Sequence, residues 1–268
     1  MFIHLFLRLP APVHTDIRNA DRDILFRLTR FTPPHMYYTW LEKALQTDFE
    51  TIGLLKQGER GTIELIRHRS ENQKFILRRF SGNAEVYCRL LNYACPNLPE
   101  VFEVASDGDR NLLIEEYIQG DNMGVMLRDS LFSPDETRRI IRQLCRGLWV
   151  LHSIGAVHRD IKPENIILRG SDAILIDFDA ARLHKVNESR DTQVLGTTGF
   201  AAPEQYGLSQ SDSRTDIYSL GVLINVMLTG SHPSLQLADG RFGRIVTRCT
   251  QVNPQRRYKT VLHLLDEL

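Results

Sequence analysis

His158-Arg159-Asp160-Ile161-Lys162-Pro163-Glu164-Asn165 is the stretch on which the reading of this chain turns. An apolar run, Ile166-Ile167-Leu168, follows it, then a polar turn over Arg169-Gly170-Ser171-Asp172, then a second apolar run from Ala173 to Ile176 that ends in Asp177-Phe178-Asp179. Two short apolar runs around a Gly-containing turn predict a hairpin. Two carboxylates, a lysine and an amide then sit at its ends. Phosphoryl transfer needs that set: Asp160 can accept a hydroxyl proton, Lys162 can neutralise a transferring phosphoryl group, and Asn165 with Asp177 can hold magnesium. A merely polar loop between buried strands rarely carries this spacing of residue types.

Outward from the loop, the upstream segment predicts a long helix. Ser133-Pro134-Asp135-Glu136 has the residues of a capping box with proline in the first turn. Ile140, Ile141, Leu144, Leu148 and Leu151 then form one apolar stripe. Downstream, the polar segment 177–204 ends in Gly196-Thr197-Thr198-Gly199-Phe200-Ala201-Ala202-Pro203-Glu204. Long polar loops inside compact domains are usually functional. Asp216 to Leu228 is apolar nearly all round, which predicts a buried helix stopped by Gly230.

The order HRDIKPEN, then DFD, then APE resembles the catalytic loop, metal-binding segment and substrate-side loop of eukaryotic-type (Hanks-type) Ser/Thr protein kinases in a compact, bacterial-like form. Lys162, two residues after Asp160, resembles the Ser/Thr-directed branch. The resemblance covers roughly residues 49–268. It implies an α+β, bilobal protein-kinase-like fold, with a small β-rich N-lobe over about 49–118 and a larger helical C-lobe over about 119–268. It implies ATP and Mg2+ as cofactors and a protein substrate, autophosphorylation included. On this resemblance Thr197 bonds the catalytic Asp160 and Lys162, Asp216 caps the backbone of the catalytic loop, and Arg257 pairs with Glu204. Arg159 before the catalytic Asp resembles kinases whose loop is ordered by an added phosphate, for which Ser189 or Thr192 are candidates. Pairing of Arg159 with Glu188, with Asp191 or with water is the unregulated alternative.

The N-terminal half matches less closely. Gly58 and Gly61 match the second and third glycines of the phosphate-binding loop, and Lys56 stands where the first would be. Phe75-Ile76-Leu77-Arg78 aligns with the strand whose lysine contacts the α- and β-phosphates. Arg78 thus replaces that lysine, and Ile76 replaces the small residue that roofs the adenine. Glu85 is the candidate for the helical carboxylate that pairs with this strand residue. Leu112 to Ile118 reads as the strand leading to the hinge, where the backbone of Glu116 and Ile118 would meet the adenine edge. Ile63, Asn122 and Ile167 complete the nucleotide-contacting set. Glu115 falls at the back of the adenine pocket, where a buried carboxylate needs a cation. Arg78 is the nearest on offer, either alone with Glu115 or shared with Glu85. Asp179 replaces the glycine of the D-F-G motif. These departures keep a second reading open, a pseudokinase that binds nucleotide or acts as a scaffold.

Residues 1–48 precede anything with assignable chemistry. Asp21 to Arg30 has helical spacing, Pro33-Pro34 breaks it, and His35 to Gln46 predicts a second helix with Tyr38, Leu41 and Leu45 on one face. The segment reads as a helical extension packed on the following lobe, with a partner-docking segment as the alternative. The apolar opening from Met1 to Leu7 is too short to span a bilayer and lacks a basic leader, so it reads as structural. Zero net charge gives no global field toward nucleic acid. Four cysteines without a CxxC argue against a zinc site and fit a reducing, cytoplasmic setting.

Overall fold

The computed structural model describes residues 34–59, 61–91, 93–183, 199–206 and 211–268. Several expected features lie outside the described residues: the opening Met1–Leu7, the helix over Asp21–Arg30, and the loop residues Glu188, Ser189, Asp191, Thr192, Thr197 and Thr198.

Helix α1 (Pro34–Asp48) runs directly into strand β1 (Phe49–Gly58). With β2 (Gly61–His68), β3 (Lys74–Ser81), β4 (Val101–Asp107) and β5 (Arg110–Glu116), β1 forms an antiparallel sheet in the order β1-β2-β3-β5-β4. Side chains alternate across such a sheet, and here both faces are used. Phe75, Leu77, Leu112 and Ile114 pack with Tyr38, Leu41 and Leu45 of α1, as the helical spacing predicts. Leu113 instead joins the core shared with helix α2 (Glu85–Leu90) and the second lobe. Ile76, Arg78 and Glu115 stand on that second face, because each is offset by an even number of residues or lies directly opposite.

Strand β4 starts only at Val101, after Leu98 and Pro99. The reason is local. Asn97 is tied to the other lobe, with its Nδ2 donating to the Ala173 carbonyl (3.0 Å) and its own carbonyl accepting from the Leu175 N–H (3.0 Å). Pro99 then offers no N–H to a ladder.

The second lobe continues through β6 (Asp121–Asn122), α3 (Met123–Asp129), α4 (Pro134–Ser153), β7 (Ala156–Val157), β8 (Ile166–Arg169), β9 (Asp172–Leu175), β10 (Arg182–Leu183), α5 (Ser213–Thr229), α6 (Gly240–Cys249) and α7 (Val261–Leu265). The capping box at Ser133 and Glu136 forms as expected and starts α4. Strands β8 and β9 are the expected hairpin; its open end, where Ile166 pairs with Leu175, carries both the loop that enters β8 and Asp177 that follows β9. Gly230 ends α5 in the left-handed region at φ 70°. Among the described residues no helix is long and apolar enough to cross a membrane.

Candidate active site

Asp216, buried in the first turn of α5, organises the catalytic loop. Its Oδ1 accepts the N–H of Arg159 (2.8 Å), its Oδ2 accepts the N–H of His158 (2.9 Å), and His152 Nε2 lies 2.8 Å from Oδ2. Burial alone would raise the Asp216 carboxyl, but these donors outweigh it and hold the group below the usual carboxylate range. The cap matters because Arg159 has φ 70°, a strained backbone position for a non-glycine residue. Gln205 reinforces it by donating from Nε2 to the Arg159 carbonyl (2.8 Å), a role with no signal in the sequence. His158 is fully buried and packs against Phe178 at 5.5 Å between ring centroids; burial pushes its imidazole down toward the neutral form.

That frame presents Asp160, Lys162 and Asn165 together. Lys162 Nζ lies 2.8 Å from Asp160 Oδ2. Asn165 Nδ2 donates to the Asp160 carbonyl (2.8 Å) and to its Oδ2 (2.9 Å), which leaves the Asn165 amide oxygen as the atom that can meet a cation. The Ile176 N–H donates to the Asn165 carbonyl (2.9 Å) and ties Asp177 to the same loop. Asp177 itself is left-handed at φ 68°. A carboxylate, an amide oxygen and a second carboxylate nearby, Asp179, make a hard-oxygen donor set that suits Mg2+ shared with phosphate oxygens.

The opposite wall comes from the sheet. Arg78 Nε donates to Glu115 Oε1 (2.6 Å), and Arg78 Nη1 donates to Asp177 Oδ1 (3.2 Å) and Asp179 Oδ1 (3.0 Å). The first of the two expected pairings, Arg78 with Glu115, is therefore present. Glu85 has no part in it: its carboxylate pairs with Arg89 one turn on (2.9 Å) and is half exposed. In a helix of only six residues, Glu85 is at the solvent end of the first turn, while Tyr87 turns inward and its hydroxyl reaches Asp179 Oδ1 at 3.3 Å. Burial pushes the Glu115 carboxyl up and Arg78 pulls it back only in part. Asp177 is held low, because Arg78 and Lys56 together overcome its burial, whereas burial and the neighbouring Asp177 push Asp179 up.

Gly58 and Gly61 face each other across a tight β1–β2 turn. Gly61 has φ 144°, and a Cβ there would fall 1.8 Å from the Arg79 carbonyl oxygen, so only glycine fits. Ile63 stands opposite Arg78, and Ile76 opposite Glu115. At the hinge, the Glu116 N–H donates to the Glu100 carbonyl (2.8 Å), its carboxylate pairs with Arg169 (2.6 Å), and Ile118 is buried. The side-chain amide of Asn122, opposite Ile167, is occupied at both ends: Nδ2 donates to the Glu164 carbonyl (2.7 Å) and Oδ1 accepts from Gly124 N–H (2.9 Å) at the start of α3. As placed, that amide serves the lobe and not a nucleotide. Glu204 and Arg257 form the expected pair, bidentate at 2.6 and 2.9 Å and buried.

An antiparallel sheet set over a helical lobe, with an Asp-Lys-Asn loop and a further Asp at the seam, is the architecture of protein kinases. The chain belongs to the protein kinase domain family, which matches residues 49–264. It is 29% identical over 237 residues to a probable serine/threonine-protein kinase of Clostridium acetobutylicum, covering 77% of this chain and 35% of that one. It is 32% identical over 198 residues to the serine/threonine-protein kinase PknL of Mycobacterium tuberculosis, covering 71% of this chain and 49% of that one. To the serine/threonine-protein kinase pkn2 of Myxococcus xanthus it is 30% identical over 184 residues, 66% of this chain and 22% of that one. The chain thus spans less than half the length of each of these relatives.

Proposed function

We propose that the chain transfers the γ-phosphoryl group of ATP to a serine or threonine hydroxyl of a protein. The observation that carries this reading is the Asp160–Lys162–Asn165 cluster, held by Asp216 and Gln205 and facing Asp177. Asp160 orients the acceptor hydroxyl and takes its proton. Lys162 stabilises charge on the moving phosphoryl group. Asp177 and the Asn165 amide oxygen hold Mg2+, which neutralises the phosphate oxygens when bound. The Gly58–Gly61 turn covers the phosphates, and Ile63, Ile76, Glu116, Ile118 and Ile167 bound the base. Thr197 is proposed to steady Asp160 and Lys162. The reading extends to autophosphorylation and to a cytoplasmic setting, which the four free cysteines support.

A second reading has one specific observation in its favour. Arg78 is engaged by three carboxylates at once, and a guanidinium so committed fits a nucleotide-binding scaffold as well as a catalyst. One assay separates them. With Mg-ATP and a generic protein substrate, the chain incorporates phosphate and Asp160→Asn does so about 100-fold more slowly or worse, the low end for loss of a general base. Equal incorporation by both proteins, or none by either, defeats the catalytic reading.

A further inference from the structure

Two of the departures noted in the sequence occupy one row of the sheet. Lys56 on β1 pairs with Ile63 on β2, and Ile63 pairs with Arg78 on β3. Residues directly opposite one another share a face, so Lys56 and Arg78 both turn toward the catalytic lobe. The β1–β2 ladder slips twice, between Thr51 and Gly53 and between Leu54 and Lys56. The two one-residue slips cancel in face and set Lys56 opposite Ile63, in the row of Arg78, where an unbroken ladder would set it opposite Gly61. Each slip re-aims the side chains that follow it.

The two cations are held very differently. The Arg78 side chain is 6% exposed and locked at Nε by Glu115. The Lys56 side chain is 61% exposed, with Nζ at 3.9 Å from Asp177 Oδ2 and 3.8 Å from Asp179 Oδ2. Those distances are long for ion pairs, and exposed pairs of this kind contribute little to stability. A buried, forked guanidinium can hold two carboxylates in fixed geometry. An exposed ammonium on a flexible stem can follow a ligand.

We propose that Lys56 is the phosphate-contacting cation of this cleft, and that Arg78 is a positioning residue for Asp177 and Asp179. The work of one strand lysine is thus divided between two strands. The ligand recognised by Lys56 is the polyphosphate chain of a nucleoside di- or triphosphate, at the mouth of the cleft where the metal-binding carboxylates converge. The base and sugar lie outside its reach. The assignment rests on the reading of the cleft as an ATP site.

The test is calorimetric titration of the full chain with Mg-ADP and with adenosine. Loss of a charge-assisted contact predicts that Lys56→Met and Lys56→Gly bind Mg-ADP about 10- to 100-fold more weakly. Adenosine affinity and the unfolding midpoint stay at their wild-type values, which a merely structural role would not predict. Lys56→Arg recovers most of the ADP affinity. Variants that bind Mg-ADP as the wild type does, or that lose adenosine and ADP alike, overturn the assignment. A wild-type chain that binds neither ligand overturns the ATP reading itself and the assignment with it, a result readily told apart from unchanged binding in the variants.

Discussion

Removing the two partners of the Arg78–Glu115 pair one at a time has unequal consequences. Glu115→Met deletes a buried, charge-assisted bond of 2.6 Å, and such bonds contribute about 1.5–3 kcal/mol. Part of that loss is returned. Glu115 Oε2 is buried without a hydrogen-bond partner, so its desolvation penalty disappears with it. Arg78 also keeps Asp177 and Asp179. The expected net loss is about 1–2 kcal/mol. Arg78→Met is worse, because it leaves Glu115 as an uncompensated buried carboxylate beside two more acids; breaking a buried pair from that side costs about 3–5 kcal/mol. In the double variant the orphaned Glu115 is gone, so the loss falls short of the sum by about 2 kcal/mol. Urea unfolding of the wild type, both single variants and the double variant measures the cycle. Glu85→Ala serves as control and should lie within about 0.5 kcal/mol of wild type, since its carboxylate is half exposed. If the two single losses are equal and add to the double within about 0.5 kcal/mol, the pair is not the coupled unit described here.

Two further expectations concern the ends of the molecule. Arg257→Met strands the buried Glu204 and should cost about 3–5 kcal/mol in urea unfolding; Arg257→Lys should recover only part, because an ammonium cannot span both carboxylate oxygens at 2.6 and 2.9 Å. On the outer face of the sheet, Tyr37 of α1 donates to Glu103 of β4. Burial raises the Glu103 carboxyl from 4.5 to about 7, with the Tyr37 bond opposing part of the rise. A raised folded value means that the fold prefers the protonated acid. Its contribution to stability is complete below about pH 4.5 and is lost as pH rises through about 7. The unfolding midpoint of Glu103→Gln should lose this dependence over that window, and a variant with the wild-type slope would refute the attribution.

The catalytic half of the site was legible because its chemistry is local. Asp160, Lys162, Asn165 and Asp177 are fixed by one hairpin, so spacing alone brings them together. Asp216, Glu204 and Arg257 lie farther along the chain but carried motif signals, and each lands where the resemblance placed it. Partner choice in the other half depends on which way a short helix and two strands face, which spacing does not encode. Glu85 and Tyr87 differ by two positions, a rotation of roughly 200° on a helix, and that rotation sends one to solvent and the other to Asp179. The placing of Lys56 opposite Ile63, in the row of Arg78, depends on two ladder slips in β1 that leave no residue signature. Gln205 was invisible because its partner is a backbone carbonyl 46 residues away.

Taken singly, Lys56, Arg78, Glu115 and Asp179 look like losses from a kinase pattern. Their contacts group them otherwise. Arg78 and Glu115 neutralise each other inside the sheet, and Lys56 stands beside Asp179 at the mouth. Each unusual cation therefore has an unusual anion within ion-pair distance. The excess that remains is one carboxylate, Asp177, the residue proposed to hold the metal. A chain drifting away from nucleotide chemistry has no reason to keep that balance, since an unmatched charge at an exposed site such as Lys56 costs almost nothing. At Arg78 and Glu115 folding alone explains the match, because neither can be buried unpaired. At Lys56 and Asp179, where stability imposes little, the match is what the proposed nucleotide site would use: a polyanion with a divalent cation would meet one cation and one anion more than the family pattern offers and the same net charge.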